Sequence, residues 1–364
     1  MRVAVDAREL CGRPTGVGRY LAGLLEAWSA SVPARRHEWS LYAHAPAALP
    51  GRWNERLTVL DGGGGTAWEQ FTLPRALRAE QPDVLFSPGY TAPLTVPAPV
   101  VLTIHDVSFF AHREWFAFRE GLRRRQLTAW SARRARVVIT DTEFSKREIQ
   151  EHIGIPQPRI RVIPLGITTG RASLQTRLDA REPLILFVGS VFERRRVDRL
   201  IASFDRVADA VPGARLEIVG ENRTRQPRLD LEALKRARRH GERISLRSYV
   251  DDATLASLYE RASVFAFLSE YEGFGLTPLE ALAAGVPPVL LDTPVARETC
   301  GAAARYVRPD ASDEAIAATL IELLTKTQSR AEIAREAEAV LSRYDWDLAA
   351  ADTLQALEEA ALGR

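Results

Sequence analysis

Cysteine is scarce in this chain, which has only Cys11 and Cys300, far apart and without metal-ligand spacing. The sequence therefore argues against a structural zinc site and a disulfide framework. Long apolar runs are also missing, because no stretch approaches the roughly 18–20 residues that cross a bilayer. The amino terminus carries Arg2, Asp6 and Arg8 and does not resemble a signal peptide. We therefore expect a cytoplasmic protein.

Lysine is nearly absent, so arginine supplies almost all of the positive charge, and the net charge is +2. Residues 1–175 carry a net +7, and residues 176–364 a net −5. The basic excess concentrates in Arg119–Arg136, a predicted helix with leucines and a tryptophan among its arginines. Two interpretations stay open: a solvated helix face, or a patch for an anionic membrane surface or a pyrophosphate-linked acceptor. Recognition motifs for nucleic acid are missing, so we predict no nucleic-acid partner.

The length of 364 residues fits two domains of about 150–200 residues. Apolar strand candidates alternate with helical patterns in each half, which predicts two parallel, doubly wound, Rossmann-like α/β domains. The predicted strands are Arg2–Asp6, Trp39–Tyr42, Val84–Phe86, Val100–Ile104, Val137–Thr140 and Ile160–Ile163, then Leu184–Val188, Arg215–Val219, Ile244–Leu246, Val264–Leu268 and Val289–Leu291. The polar, aperiodic stretch Thr168–Pro183 is the predicted linker.

The most informative segment is Ser269–Pro288, which reads SEYEGFGLTPLEALAAGVPP. It follows a predicted strand, and its two glycines precede a predicted helix that stops at Gly285. Strand, glycine turn and helix together suit a phosphate, because the glycines allow close approach and the free N–H groups of the first helical turn point at an anion. The expected backbone donors are Gly273, Phe274, Gly275 and Leu276.

Two carboxylates flank this turn. Glu272 precedes it, and Glu280 lies about two turns into the predicted helix. Carboxylates accept hydrogen bonds from sugar hydroxyls, and a buried Glu280 in an apolar helix needs a partner such as a ribose. The segment therefore predicts a ligand with phosphate and hydroxyl groups, such as a nucleotide sugar. The alternative is that both glutamates are exposed surface carboxylates.

The pattern from Glu272 to Glu280, EGFGLTPLE, resembles the E-x7-E signature of retaining glycosyltransferases with the GT-B fold, specifically glycosyltransferase family four. The resemblance extends over almost the whole chain. It implies a domain of residues 1–170 on the acceptor side and a nucleotide-sugar-binding domain of residues 171–343, facing each other across a cleft. It also implies that the final helix, within residues 344–364, crosses back to the first domain, and that Glu272 lies near the donor sugar.

The loop from Gly189 to Arg196 follows the first predicted strand of the second half and contains three successive arginines. Arg194 and Arg195 place fixed positive charge where charge would develop on a phosphate leaving group. The loop resembles the family's Pro-Arg-Lys-Asn segment, with Glu193 in place of the proline and Arg195 in place of the lysine. Arginine suits bidentate phosphate binding, although its geometry differs from that of lysine. The alternative is a solvated loop.

His105 follows the predicted strand Val100–Ile104, and VLTIHDVSFF resembles the family's HD-x-S-F segment. That resemblance implies a histidine that faces the donor sugar, mainly in a positioning role. Asp106 either orients the imidazole or caps the next turn. The glycine loop Thr15–Tyr20 matches the family loop near the donor phosphate or the acceptor, so Gly16 is expected near the diphosphate.

Tyr249 and Val250 resemble the family's G-Y-V segment, whose backbone lines the nucleotide base, with Ser248 in place of the glycine. Asp251 and Asp252 are predicted helix caps rather than metal ligands.

The sequence Asp345-Trp-Asp347 is formally a DxD motif, the metal-binding pattern of the other large glycosyltransferase fold. It opens the terminal helix, however, and Asp345 is better explained as an N-cap. We therefore predict no metal and no cofactor besides the nucleotide-sugar substrate.

These residues and the resemblance predict a transferase that moves a hexose from a nucleotide-diphospho-sugar to a saccharide or lipid-linked hydroxyl, and the resemblance implies retention of anomeric configuration. Arg194, Arg195 and the helix amino terminus would stabilise charge on the departing β-phosphate. The sequence offers no compelling covalent nucleophile, which favours same-face attack assisted by that phosphate. The segments TGVGRY, HDVSFF and EGFGLTPLEA look most like bacterial mannosyltransferases of polysaccharide assembly, so GDP-mannose is favoured. A UDP-sugar-dependent glucosyl- or N-acetylglucosaminyltransferase is the alternative.

Other classes also suit such a fold. An epimerase is one, and a phosphorylase would need a lysine placed for pyridoxal, but Lys146, Lys235 and Lys326 lie in no fitting loop. A non-catalytic nucleotide-sugar-binding protein would keep Glu280 and the glycine turn and lose the arginines. This chain retains those arginines, which favours the enzyme.

Overall fold

The computed structural model describes residues 1–12, 16–47, 49–167, 181–225 and 228–363. The chain divides into two compact units, the first formed by Met1–Gly166 with Tyr344–Arg364 and the second by Ile167–Arg343. Of the predicted linker, residues 168–180 lie outside the described residues. Within the described ranges, no helix is both long enough and apolar enough to cross a membrane.

The first unit is built on a seven-stranded sheet in the order β3-β2-β1-β4-β5-β6-β7, in which every pair is parallel. The carboxyl ends of all seven strands therefore lie along one edge. The strands are β1 (Arg2–Asp6), β2 (Glu38–Ala43), β3 (Leu57–Val59), β4 (Val84–Ser87), β5 (Val100–Thr103), β6 (Val137–Thr140) and β7 (Ile160–Val162). Strands β4, β5 and β6 are buried throughout, as their largely apolar sequences require in a sheet covered on both faces.

The helices of the first unit include the last one of the chain. That helix packs against the first helix and across β4, β5 and β6, and Trp28 Nε1 donates to the carbonyl of Ala350 at 2.9 Å. The predicted return of the terminal helix to the first domain is confirmed. The helices are α1 (Gly16–Ala30), α2 (Gly65–Ala67), α3 (Leu73–Glu80), α4 (Ser108–Ala111), α5 (Phe118–Arg134), α6 (Glu143–Ile153) and α14 (Trp346–Ala361).

The second unit holds a six-stranded sheet in the order β10-β9-β8-β11-β12-β13, again parallel throughout. Its strands are β8 (Glu182–Val188), β9 (Arg215–Val219), β10 (Ile244–Arg247), β11 (Ala262–Phe267), β12 (Pro288–Leu291) and β13 (Arg305–Val307). Its helices are α7 (Val197–Ala210), α8 (Leu231–Arg236), α9 (Asp252–Arg261), α10 (Leu276–Ala283), α11 (Pro294–Cys300), α12 (Asp313–Thr325) and α13 (Thr327–Leu341). The prediction of two parallel α/β domains is confirmed, and the short edge strands β3 and β13 are additions to it.

Candidate functional site

The loops after β8 and β9 touch through their backbones at the carboxyl edge of the second sheet. A Cβ atom on Gly220 would lie 1.9 Å from the carbonyl oxygen of Gly189, so no side chain fits there. Gly189 itself has φ +136°, and a Cβ on it would lie 2.7 Å from a guanidinium nitrogen of Arg195. The glycine after β8 therefore allows the arginine to fold back over its own loop.

Arg194, Arg195 and Arg196, which we call the arginine loop, all contact the chain that follows β11. Arg194 Nε donates to the carbonyl of Tyr271 at 3.2 Å, and its own carbonyl accepts from the N–H of Glu270 at 2.8 Å. Arg196 pairs with the carboxylate of Glu270. The arginine loop thus contacts the segment that carries Glu272. The alternative interpretation, a solvated loop, does not describe these contacts.

Glu272 is paired directly with Arg195. Its Oε1 accepts from Arg195 Nε at 2.8 Å and its Oε2 from Arg195 Nη2 at 3.2 Å, while Ser269 Oγ donates to Oε1 at 2.8 Å. Burial alone would raise the pKa of Glu272, but Arg195 and Arg194 outweigh it and lower that pKa. Glu272 is therefore an ionised acceptor, and the sequence did not predict that Arg195 would be its partner.

Aromatic rings support the two arginines. The guanidinium carbon of Arg194 lies 4.4 Å from the ring centre of Phe192, and that of Arg195 lies 5.5 Å from the same ring. Arg195 also lies 4.8 Å from the ring centre of Phe267, at the end of β11. Cation–π contacts at these distances hold the guanidinium planes without using their N–H donors.

Residues Gly273–Leu276, which we call the glycine turn, lead into α10. Gly275 has φ +91° and precedes the first residue of the helix, a left-handed conformation that favours glycine. Phe274 in this turn is buried. Glu280 is half-buried and stands fifth in α10, closer to the helix start than the two turns expected. The free N–H groups of the first turn of α10 follow the glycine turn directly.

Tyr249 and Val250 lie between β10 and α9, and the Tyr249 side chain is exposed. Asp251 caps α9 by accepting from the N–H of Thr254 at 2.7 Å, as predicted, and Asp252 is the first helical residue.

Asp345 caps α14 by accepting from the N–H groups of Asp347 and Leu348 at 2.7 and 3.1 Å. The DxD sequence is thus a helix start. Among the residues that the structure describes, no group of three histidine, cysteine or acidic side chains is arranged to hold a metal ion.

In the first unit, His105 follows β5 and lies between two partners. Its Nδ1 is 2.8 Å from Asp141 Oδ2, and its Nε2 is 3.0 Å from the carbonyl oxygen of Pro88. Asp106 does not orient the ring: it accepts from the N–H of Ser108 at 2.8 Å at the start of α4. Of the two roles open for Asp106, the cap is therefore the one observed. Asp141, just after β6, was not predicted as a partner of His105. The signal that could have identified it is that the carboxyl ends of the parallel strands β5 and β6 lie at the same edge of the sheet.

A second polar cluster is buried at the end of β1. Arg8 bonds Glu69, and its Nε lies 3.3 Å from Asp6 Oδ2, while Thr91 Oγ1 donates to Glu69 at 2.6 Å. Burial raises the pKa of Asp6 to about 6, although Arg8 opposes that shift. This cluster was not predicted from the sequence, where its signal is a charged residue, Asp6, at the end of a buried strand. Gly16 begins α1 with open space around its α-carbon, and Thr15 lies outside the described residues.

The predicted basic helix is α5, and its arginines are only partly paired within the described residues. Arg124 pairs with Glu120, and Arg125 donates to the carbonyl of Phe109. Leu122 and Trp130 remain exposed on the same helix.

Two family models match the chain. The model described as Glycosyltransferase Family 4 covers residues 14–171, and the one described as Glycosyl transferases group 1 covers residues 171–340. The glycogen synthase of Mycobacterium tuberculosis is 30% identical over 265 residues, which are 71% of this chain and 62% of that protein. The O-antigen chain mannosyltransferase B of Escherichia coli is 25% identical over 290 residues, 77% of this chain and 75% of that protein.

The crystal structure of Anabaena Alr3699/HepE in complex with UDP-glucose has a TM-score of 0.75 at 18% identity, covering 98% of this chain and 100% of that one. Two parallel α/β units, with the last helix returned to the first, define a GT-B fold. The chain belongs to the GT-B glycosyltransferases of the group 1 and family 4 type. It spans less than two thirds of the length of the mycobacterial glycogen synthase.

Proposed function

We propose that the chain transfers a hexose from a nucleoside-diphosphate sugar to a hydroxyl of a saccharide or a lipid-linked saccharide, with retention of anomeric configuration. One observation carries this proposal: the arginine loop and the glycine turn meet at Glu272 in a single unit. Cationic side chains beside a helix amino terminus suit a diphosphate, and an ionised carboxylate suits sugar hydroxyls.

In the proposed reaction, the bond between the anomeric carbon and the β-phosphate oxygen breaks, and negative charge grows on that phosphate. The acceptor oxygen bonds to the same carbon from the same face, and the acceptor hydroxyl proton passes to the departing phosphate. A guanidinium has five N–H donors, and Arg195 uses three of them on Glu272 and on the carbonyl of Ser190. The remaining donors suit a phosphate oxygen. Stabilisation of the leaving group is then electrostatic, from groups that are already in place.

Glu272 and Glu280 have different roles in this proposal. Glu272 accepts hydrogen bonds from the donor sugar, and Glu280 accepts them from the ribose. We expect Glu280→Ala to weaken nucleotide diphosphate binding at least tenfold by calorimetry, about 1.4 kcal/mol. Unchanged affinity would exclude the ribose role. Glu298→Ala, on α11 in the same unit, serves as the control.

GDP-mannose is the proposed donor, and UDP-sugars are the alternative. The similarity to the O-antigen chain mannosyltransferase B supports GDP-mannose, whereas the structural neighbour in complex with UDP-glucose supports a UDP-sugar. A thermal-shift panel of GDP and UDP decides between the bases. Release of nucleotide from GDP-mannose or UDP-glucose then tests catalysis, because a non-catalytic binding protein would bind without release. We propose that neither a metal nor a cofactor is needed, so chelators should leave turnover unchanged.

The outer face of α5 is proposed to contact an anionic membrane on its cytoplasmic side, where a lipid-linked acceptor would lie. Exposed Leu122 and Trp130 stand among Arg119, Arg123 and Arg134. Aromatic and basic residues together favour the interface of acidic bilayers. We expect the wild-type protein to bind phosphatidylglycerol vesicles. The double variant Leu122→Ser/Trp130→Ser should bind these vesicles at least fivefold more weakly. Vesicle binding by the double variant that equals wild-type binding would contradict this contact. The control is Leu348→Ser, which changes an exposed leucine on α14.

A further inference from the structure

The contacts of His105 fix where its protons lie. The carbonyl oxygen of Pro88, 3.0 Å from Nε2, can only accept a hydrogen bond, so Nε2 carries a proton. The contact of 2.8 Å between Nδ1 and Asp141 Oδ2 also contains one proton. With that proton on Nδ1, the ring is an imidazolium beside a carboxylate.

The surroundings of the ring favour this ionised pair. Burial opposes protonation, but Asp141 outweighs burial and raises the pKa of His105. Burial also raises the pKa of Asp141, although His105 opposes that shift, and the bond from Nε2 to Pro88 favours the proton on the ring. The rings of Tyr20 and Tyr90 pack edge-on, with centres 4.9 and 5.8 Å from the imidazole. Burial raises the pKa of both phenols, so both are neutral. Asp106 is the other carboxylate nearby, and it also favours the cation.

The proton on Nε2 holds a strained turn. Pro88 begins the segment Pro88–Thr91, in which Tyr90 has φ +58°, an uncommon conformation for an aromatic residue. The Tyr90 hydroxyl donates to Asp106 at 2.7 Å, and Thr91 joins Glu69. The turn therefore links the polar cluster at the end of β1 to the end of β5. The strained backbone of Tyr90 persists only where neighbouring groups hold it in place.

We propose that Asp141 is a positioning residue of the transfer reaction: it keeps His105 doubly protonated, and His105 in turn fixes the Pro88–Thr91 turn. This inference rests on the proposed function, because its readout is the rate of the proposed transfer. A neutral ring has only one N–H, so it cannot donate to both Asp141 and the carbonyl of Pro88, and one of the two contacts is lost. His105 has no free lone pair in this state, so it positions groups and does not act as a general base.

Asp141→Asn tests the proposal through the pH profile of kcat/KM. The ionised pair exists between the pKa of Asp141, which burial raises, and the raised pKa of His105, so activity should fall as pH rises through the pKa of His105. Removing the carboxylate should move this alkaline fall at least one pH unit lower, because a neighbouring opposite charge shifts a pKa by about that much or more. An unmoved profile would overturn the proposal. Glu358→Gln removes the surface carboxylate 3.0 Å from His37 Nε2 and should leave the profile unchanged.

Nitrogen NMR of the wild-type protein tests the same claim without any variant or turnover. The chain has six histidines, and His105→Gln assigns the signal of interest. We expect both ring nitrogens of His105 to carry protons at pH 6.5, the ordinary pKa of histidine, because the pKa of His105 is raised above it. A ring that is neutral at that pH would overturn the proposal even if transfer is confirmed. Conversely, a protein that transfers no sugar but shows the protonated ring would refute the proposed function and leave the proton assignment intact.

Discussion

Arg195 and Glu272 are joined by two hydrogen bonds, Nε to Oε1 at 2.8 Å and Nη2 to Oε2 at 3.2 Å. The residue proposed to bind phosphate, Arg195, and the residue proposed to bind the donor sugar, Glu272, are thus each other's partner in this structure. A lysine at position 195 could not reproduce this geometry, because its three donors all belong to one nitrogen. The arginine therefore fixes the orientation of Glu272 as well as supplying charge.

Glu272→Gln should lower the free energy of unfolding by about 3 kcal/mol at pH 7, because Arg195 is left mostly buried without an opposite charge. The pKa of Glu272 is lowered from 4.5, so its contribution is present above that value and is lost as pH falls through the lowered pKa. Urea unfolding should therefore show a deficit that shrinks in acid. A deficit independent of pH would contradict the pairing. Glu270→Gln, at a more exposed pair, should cost about 1 kcal/mol or less.

Arg196 adopts φ +47° and ψ +40°, a left-handed conformation that favours glycine. Arg196→Gly and Arg196→Ala lose the same contact to Glu270, but only in the alanine variant does the left-handed backbone conformation cost conformational energy. Allowing for the greater freedom of unfolded glycine, we expect the glycine variant to be more stable by roughly 0.5–1 kcal/mol. Paired urea titrations measure the difference. Equal stability, or a more stable alanine variant, would contradict the left-handed conformation.

Trp346, at the start of α14, packs on two glycines of the first unit. A Cβ on Gly166 would lie 2.5 Å from the backbone nitrogen of Trp346, whereas a Cβ on Gly23 would meet only its ring. We expect Gly166→Ala to lower the free energy of unfolding by about 2 kcal/mol or more, because a backbone cannot step aside as a side chain does. Gly63→Ala, with no atom within 4 Å, should change it by less than about 0.5 kcal/mol. Similar losses at positions 63 and 166 would refute this packing.

Asp6 should give the stability of the protein a distinct pH dependence. Its pKa rises from 3.8 to about 6, so the native state binds more protons and stability falls as pH rises between these values. The free energy of unfolding of Asp6→Asn, relative to wild type, should therefore increase by about 3 kcal/mol from pH 3.8 to above pH 6. Urea titrations across this range measure it. A constant difference would mean that Asp6 is not a buried carboxylate.

The alternation of apolar strands and helices was sufficient to predict both parallel sheets. The edge strands β3 and β13 were missed because each has three residues and little buried surface to mark a pattern. Residues that follow strands, such as His105 and Arg195, were selected as candidates by their positions and by the family resemblance. Their pairings with Asp141 and Glu272 were not predicted, because the partners are 36 and 77 residues away in the sequence. Such pairings depend on which strands become neighbours and on side-chain direction.

Turnover of a nucleotide sugar by Arg195→Ala tests the central claim most directly. If the arginine loop stabilises the departing diphosphate, kcat/KM should fall more than tenfold, a loss above about 1.4 kcal/mol. Arg308→Ala, which removes an exposed arginine of the same unit, should leave kcat/KM within twofold of wild type. A folded Arg195→Ala variant that retains more than a tenth of wild-type kcat/KM would contradict the claim.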